Sequence, residues 1–130
     1  MRVYLDTAPI IYLVERVEPF ASITQQRLGQ PGMVQVCSDL SRLECRVKPL
    51  REGDTALLAD YDDYFVRTVS EIVPLSREVV DRATDLRARY GFKTPDALQL
   101  AAAIESGCDV FLTNDHRLDR CSEIRVEVIS

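Results

Sequence analysis

Short apolar segments typical of buried β-strands alternate along this chain with longer segments typical of α-helices. When strands and helices alternate in this way, the strands pair in parallel and the helices cover both faces of the sheet. We therefore predict an α/β fold with three layers, in which a central, mainly parallel sheet of four to five strands is flanked by helices. The predicted strands cover residues 3–5, 33–37, 72–75, 110–113 and 124–129.

Capping and stop signals indicate where the helices begin and end. Ser38 or Asp39 is placed to cap a helix that Pro49 would end, since proline lacks the amide proton that a helix interior needs. Ser76 is placed to cap a long amphipathic helix, and Gly91 suits the left-handed conformation at its end. Further helices are predicted over residues 7–15, 19–28, 54–68 and 94–106, with Asp54 and Thr94 as capping residues.

The size and composition of the chain are those of one globular domain. With 130 residues, 46% hydrophobic and 28% charged, the chain can bury roughly two-thirds of its unfolded surface. No apolar run approaches the ~20 residues that a membrane-spanning helix needs, and the sequence opens directly on a predicted strand. We predict a single domain over residues 1–130 in a cytoplasmic protein.

The charged residues and cysteines argue against two classes of protein. A formal net charge of −5 disfavours a general nucleic-acid binder, although fourteen of the sixteen basic residues are arginine, which suits phosphate as well as carboxylate. The four cysteines show no C-x-x-C spacing and the chain has one histidine, so a structural zinc site is disfavoured. We expect the cysteines to be buried free thiols.

Four acidic residues stand where the predicted topology can gather them. Asp6 and Asp115 each follow a predicted strand, Asp96 begins a helix, and Glu44 lies within one. Ligands bind beyond the carboxyl ends of the strands in such sheets, so these side chains can converge there. Two carboxylates a few Å apart repel by on the order of 4 kcal/mol at an effective dielectric of about 20, and oxygen-rich clusters suit Mg²⁺ or Mn²⁺. The sequence therefore points to a metal-dependent enzyme.

Each of the three aspartates also has a purely structural alternative. Asp6 could cap the helix that follows it, and Asp115 could serve in an ordinary turn. Asp96 at a helix N-terminus gains about 0.3–1 kcal/mol from the helix dipole. These readings explain the aspartates one at a time, whereas a joint site explains the convergence of all four acids, and we favour it.

Glu44 could likewise be a solvated residue on the outside of its helix. However, Leu40, Leu43 and Val47 share its turn, which predicts that Glu44 lies at the margin of a buried apolar face.

Four segments around the acids carry a resemblance to a known family. They are Leu5-Asp6-Thr7, Ser41-x-x-Glu44, Thr94-Pro95-Asp96-Ala97-Leu98-Gln99-Leu100-Ala101-Ala102-Ala103 and Phe111-Leu112-Thr113-Asn114-Asp115. Together they resemble the PIN-domain ribonucleases, and within them the VapC-type toxins of bacterial and archaeal toxin–antitoxin pairs. The resemblance covers essentially the whole chain and is strongest from Asp96 to Asp115.

This resemblance implies a PIN-like fold and a metal-dependent endoribonuclease that cuts single-stranded RNA. By motif, Asp6 and Asp96 would be direct ligands of Mg²⁺ or Mn²⁺. Glu44 and Asp115 would complete the catalytic metal site, directly or through water. The residues implied to hydrogen-bond these acids are Thr7, Ser41, Thr113 and Asn114.

The resemblance also implies partners for the chain. They are an RNA substrate, a cognate antitoxin protein whose tail lies across the acidic groove, and a second copy of the chain in a homodimer. Apolar residues of the early helices could line that groove, although core packing is the alternative for at least half of them. These residues are Ile10, Ile11, Leu13 and Val14.

The chain departs from the common PIN pattern after the fourth acid. There the sequence reads His116-Arg117-Leu118, where many relatives have an aromatic residue nearby, and Asp119 offers a further carboxylate. Arg117 and Arg120 could contact RNA phosphates or simply cover the sheet edge.

Two rival functions can be weighed on the sequence. A phosphatase of the haloacid dehalogenase type needs a second aspartate two positions after the first, but Ala8 stands there. The stronger alternative is a catalytically inactive PIN fold that serves as a binding or scaffold module. Degenerate members of that kind typically lose acids, whereas this chain keeps four, so catalysis is favoured.

Overall fold

The computed structural model describes residues 1–129, and Ser130, the last residue of the predicted domain, lies outside them. Its centre is a five-stranded sheet in the order β3-β2-β1-β4-β5, in which every neighbouring pair is parallel. The strands are β1 (Arg2–Leu5), β2 (Val34–Ser38), β3 (Glu71–Val73), β4 (Val110–Thr113) and β5 (Arg125–Val128).

Six α-helices and one short 3₁₀ helix surround the sheet. They are α1 (Thr7–Glu15), α2 (Phe20–Leu28), α3 (Asp39–Arg51), α4 (Thr55–Arg67), α5 (Arg77–Tyr90), α6 (Thr94–Glu105) and the 3₁₀ helix His116–Arg120. The predicted α/β architecture with a parallel sheet is confirmed, and each predicted strand and α-helix is present.

Alternation along the central strands builds two hydrophobic cores, one on each face of the sheet. Tyr4 and Phe111 stack with ring centroids 5.4 Å apart on the face covered by α5 and α6. Val3 and Leu5 point to the opposite face, where they pack with residues of α1, α2, α3 and α4. Because successive strand residues face opposite sides, a four-residue strand is enough to anchor both helical layers.

Most of the helix signals act as the sequence predicts. The Ser38 side chain and the Ser41 side chain cap α3 reciprocally, and the Ser76 hydroxyl accepts from the Val79 amide to cap α5. Gly91 ends α5 in the left-handed conformation, with φ 74°.

Three local predictions are wrong. Pro49 does not end α3, which continues to Arg51; a proline removes only its own amide hydrogen bond and its fixed φ suits a helix, and this one is buried. Thr94 is the first residue of α6 rather than its cap; Lys93 is the N-cap residue, and the Thr94 hydroxyl accepts from Arg87.

The third correction concerns the apolar face predicted beside Glu44. Leu43 and Val47 are 57% and 45% exposed. The buried side of α3 carries Ser41, Cys45 and Pro49 instead, while Glu44 is half-buried.

The cysteines are all free thiols; Cys37, Cys45 and Cys121 are buried and Cys108 is half-buried. Burial raises the pKa of the Cys37 thiol to about 12. No helix in residues 1–129 is both long enough and apolar enough to cross a membrane.

Candidate active site

Asp6 lies where β1 ends and α1 begins, at the carboxyl edge of the sheet. Its Oδ1 accepts from the Thr7 amide at 2.8 Å, and its Oδ2 accepts from the Thr113 hydroxyl at 2.7 Å. Thr113 ends β4, the parallel neighbour of β1, so the sheet itself brings the two residues together. Burial raises the pKa of Asp6 to about 6; the two hydrogen bonds oppose this shift, and the charges of Asp96 and Glu44 add to it.

Glu44 reaches the same region from α3. Its Oε1 accepts from the Thr7 hydroxyl at 2.7 Å and from Gln99 Nε2 at 2.8 Å. Thr7 therefore serves two acids, since its amide contacts Asp6 and its hydroxyl contacts Glu44.

Asp96 is half-buried in the first turn of α6. Burial raises its pKa most, the charges of Asp115 and Glu44 raise it further, and Arg117 acts in the opposite direction. The N-terminal turn of a helix favours a negative side chain, so α6 both positions Asp96 and stabilises its charge.

Asp115 follows β4 and is the N-cap of the 3₁₀ helix. The Arg117 guanidinium contacts both of its oxygens, with Nε 3.0 Å from Oδ1 and Nη2 2.6 Å from Oδ2. This fork holds the pKa of Asp115 below its ordinary value. The Asp115 amide donates to the Thr113 hydroxyl at 3.1 Å, so Thr113 links Asp115 to Asp6.

The structure thus brings the four sequence-predicted acids into one electrostatic cluster. In residues 1–129, however, no group of three or more His, Cys, Asp or Glu side chains is arranged to hold one metal ion. Two of the acids face other partners: Glu44 Oε1 faces Thr7 and Gln99, and Asp115 faces Arg117.

The chemistry of the donor set fits a hard divalent cation. All four side chains are carboxylates, the ligand type that Mg²⁺ and Mn²⁺ prefer. Burial raises the pKa of Asp6 and of Asp96 most and neighbouring acids raise both further, so negative charge is disfavoured in this region. A bound cation would lower both values by direct attraction.

The four residues expected to hydrogen-bond the acids differ in what they do. Thr7 and Thr113 contact acids directly. Ser41 contacts Gln99 at 3.3 Å, one residue removed from Glu44. Asn114 does not contact an acid and donates instead to the Tyr12 hydroxyl at 3.0 Å, because it is exposed beyond the end of β4.

Sequence reasoning missed the roles of Gln99 and Tyr4. Gln99 is 1% exposed and donates to Glu44, and the Tyr4 hydroxyl contacts the Gln99 carbonyl oxygen. The available signal was a single amide within the apolar run of residues 97–103. A buried amide requires hydrogen-bond partners, which makes such a residue a candidate for a polar network.

The residues of the loop after Asp115 divide into an exposed and an anchored group. His116 and Asp119 are exposed. Arg120 donates to the Tyr90 carbonyl at 3.2 Å and lies over the Phe92 ring at 4.9 Å, which ties the loop to α5. Arg120 therefore covers the edge of the fold, whereas Arg117 faces the acids.

Of the four apolar residues of α1 that were expected to line a groove, Ile10 is fully buried, whereas Ile11, Leu13 and Val14 are half-buried. Leu13 lines an open groove of about 360 Å³ between α1, α2 and α4, together with Leu28 and Tyr64.

Comparison with family sequence profiles shows to which protein family the chain belongs. The sequence profile of the PIN domain matches residues 3–124. The chain belongs to the PIN-domain family. The resemblance seen in the sequence is thereby confirmed at the level of the family. No curated protein sequence matches the chain significantly.

Solved structures share the PIN-domain fold over nearly the whole chain. VapBC2 from Rickettsia felis, bound to a DNA fragment from its promoter, superposes with a TM-score of 0.81 at 16% identity, covering 100% of both chains. VapC20 from Mycobacterium tuberculosis, a sarcin–ricin loop cleaving toxin, gives 0.76 at 14% identity, covering 95% of this chain and 98% of the other. A toxin–antitoxin complex from Klebsiella pneumoniae gives 0.68 at 18% identity, covering 98% of both. At these identities the likeness shows the fold alone.

Proposed function

We propose that this PIN-domain protein is a Mg²⁺- or Mn²⁺-dependent endoribonuclease that hydrolyses RNA phosphodiester bonds. The observation that carries the proposal is the carboxylate cluster at the carboxyl edge of the sheet. One member, the half-buried Asp6, is held by hydroxyl and amide donors and has no basic partner among its hydrogen bonds. An anion stabilised in that way suits a cation-binding site better than a structural ion pair.

Asp6 and Asp96 would hold the metal directly, and Glu44 and Asp115 would complete its shell. When bound, the metal would activate water and offset charge that develops on the phosphate. Thr113 and Thr7 would keep the Asp6 and Glu44 carboxylates aimed at the centre. For Asp115 to contribute, its fork with Arg117 must open, which would leave that guanidinium free to contact an RNA phosphate.

We further propose that the nuclease is the toxin of a toxin–antitoxin pair and acts as a single cytoplasmic domain over residues 1–130. Support comes from the fold shared with VapBC2 and with the Klebsiella pneumoniae toxin–antitoxin complex. The groove beside Leu13, which borders α1, offers a half-buried apolar surface for an antitoxin segment. A homodimer is proposed with it, on the resemblance to VapC-type toxins.

Cleavage of an unstructured RNA tests the nuclease. We expect wild-type protein to cut the RNA with Mg²⁺ or Mn²⁺, chelator to stop the reaction, and Asp96→Asn to abolish it. Asp119→Asn is the matched control, because Asp119 is an exposed acid close by in the chain, and it should cut like wild type.

Each alternative result has a distinct meaning. Cutting that survives in Asp96→Asn would show that the acidic cluster is not the site. A folded wild-type protein that neither cuts RNA nor binds metal would favour the inactive binding module. Co-purification with a small protein encoded next to this gene would test the antitoxin separately.

A further inference from the structure

We infer that Gln99 is a positioning residue that sets the place of Glu44 relative to Asp96, and that the affinity of the site for its metal depends on it. The inference rests on the proposed function and goes beyond it. Gln99 belongs to α6 and is 1% exposed, in an otherwise apolar run of that helix. An apolar side chain of similar size would pack there without any hydrogen-bond requirement.

The contacts of Gln99 give its amide one orientation. Two hydroxyls, from Tyr4 and Ser41, meet its carbonyl oxygen, the latter at 3.3 Å. Its Nε2 is therefore left to face Glu44 Oε1 at 2.8 Å and the Thr7 hydroxyl at 3.2 Å. A flipped amide would place a carbonyl oxygen against a carboxylate, which is repulsive.

The hydroxyls that orient Gln99 are themselves fixed by the sheet and α3. Tyr4 is fully buried in β1 and also contacts Ser38 at 2.8 Å, where β2 ends. The Ser41 hydroxyl also accepts from the Ser38 amide at 3.2 Å as part of the α3 cap. Hydrogen bonds thus connect the Gln99 amide to β1, to the end of β2 and to the first turn of α3.

The position of Gln99 on its helix connects this network to the second acid. Asp96 and Gln99 are three residues apart, so they lie on the same side of α6. Through Gln99, the helix that carries Asp96 holds the carboxylate of α3. The polar network therefore fixes the spacing of two proposed ligands that come from different helices.

Mn²⁺ binding to the full chain tests this role, measured by isothermal titration and by the Mn²⁺ EPR spectrum. Gln99→Met keeps the side-chain length and removes the donor. We expect Mn²⁺ binding to weaken roughly tenfold and the EPR spectrum to change, as supporting residues of metal sites typically affect affinity by about 10- to 100-fold.

Thr24→Val is the matched control. Thr24 is also fully buried, and its hydroxyl donates to the Phe20 carbonyl at 2.7 Å within α2. Removing that hydroxyl should affect stability and leave Mn²⁺ binding and its EPR spectrum as in wild type. A merely structural Gln99 would behave in the same way as Thr24.

Unchanged Mn²⁺ binding in a folded Gln99→Met variant would overturn the positioning role and leave the proposed nuclease intact. A wild-type protein that binds no Mn²⁺ would instead contradict the proposed function. If Gln99→Met does not fold, Tyr4→Phe removes an orienting hydroxyl without touching Glu44. We then expect about threefold weaker Mn²⁺ binding, and wild-type binding would overturn the inference.

Discussion

The carboxylates of Asp6 and Asp115, at the two ends of the acidic cluster, are stabilised by different kinds of partner. Asp6 is half-buried between strand ends and is held by an amide and a hydroxyl, which fix its position and oppose only part of the pKa shift that burial causes. Asp115 lies nearer the solvent and is compensated by the Arg117 fork. The pKa is raised at Asp6 and lowered at Asp115. On the proposed function, the Asp6 end would therefore require an added cation, whereas the Arg117 guanidinium already pairs with the Asp115 end.

The largest expected effect on RNA cleavage comes from removing the charge of Asp6. Asp6→Asn keeps the size of the side chain, and we expect RNA cleavage to fall by more than about 100-fold, beyond the range typical of supporting residues. Asp115→Asn should cost less, because the Arg117 guanidinium already contacts both oxygens of Asp115. Initial rates at saturating Mg²⁺ check the order of the two variants. Equal losses would show that the two ends do not differ in function.

The second prediction concerns the stability of the metal-free protein as a function of pH. The folded-state pKa of Asp6 is about 6, above the ordinary 3.8. The folded state thus binds this proton more tightly, so Asp6 should contribute about 3 kcal/mol to the free energy of unfolding at low pH, and this contribution should be lost as pH rises through about 6. Urea unfolding in chelator measures this.

Asp6→Asn is the variant that isolates that contribution. It should lack this loss of stability, so the stability difference from wild type should change with pH. Asp115 has the opposite sign: its pKa is lowered, so its contribution is present above its unfolded pKa and is lost as pH falls through the folded value. A constant difference between wild type and Asp6→Asn across this range would contradict the raised pKa.

The third prediction tests the hydroxyl that links the two ends. Thr113 is fully buried, donates to Asp6 and accepts from the Asp115 amide. Thr113→Val preserves shape and removes both contacts, so we expect Mn²⁺ affinity to fall roughly tenfold. Thr84→Val, at an exposed position of α5, removes only a contact to the Val80 carbonyl and serves as the control. Wild-type affinity in Thr113→Val would mean that the ends are positioned independently.

The smallest effect is expected at the Asp115 end. Arg117→Gln releases Asp115, and we expect Mn²⁺ to bind about threefold more tightly, since an exposed pair is worth up to about 1 kcal/mol. Arg125→Gln removes the same charge from an arginine of similar exposure, 69% against 70%. Titration calorimetry on both variants separates the local fork from net charge. An equal change of Mn²⁺ affinity in both variants would show that the Asp115–Arg117 contact does not weaken metal binding.

Local patterns predict the elements and the positions of the acids well. Asp6 and Asp115 follow strands whose apolar runs are short and clear, and the capping residues Ser38, Ser76 and Gly91 act as their chemistry requires. These features depend on a few neighbouring residues, so a linear sequence contains them.

Predictions that depend on contacts between distant parts of the chain were less successful. Leu43 and Val47 were expected to mark a buried face of α3, yet that helix buries a serine, a cysteine and a proline. Asn114 was expected beside the acids and instead contacts Tyr12. In both cases the deciding contacts come from elements far apart in sequence.

The sequence by itself determined the alternation of strands and helices, and hence a parallel sheet with Asp6 and Asp115 at one edge, because periodicity and capping are local properties. Only the tertiary structure decided that Gln99 meets Glu44 and that Asn114 meets Tyr12. The first contact depends on the packing of α3 against α6, and the second brings the residue after β4 against α1. Hydrogen bonds extend only about 3 Å, so such partners are settled by packing and not by composition.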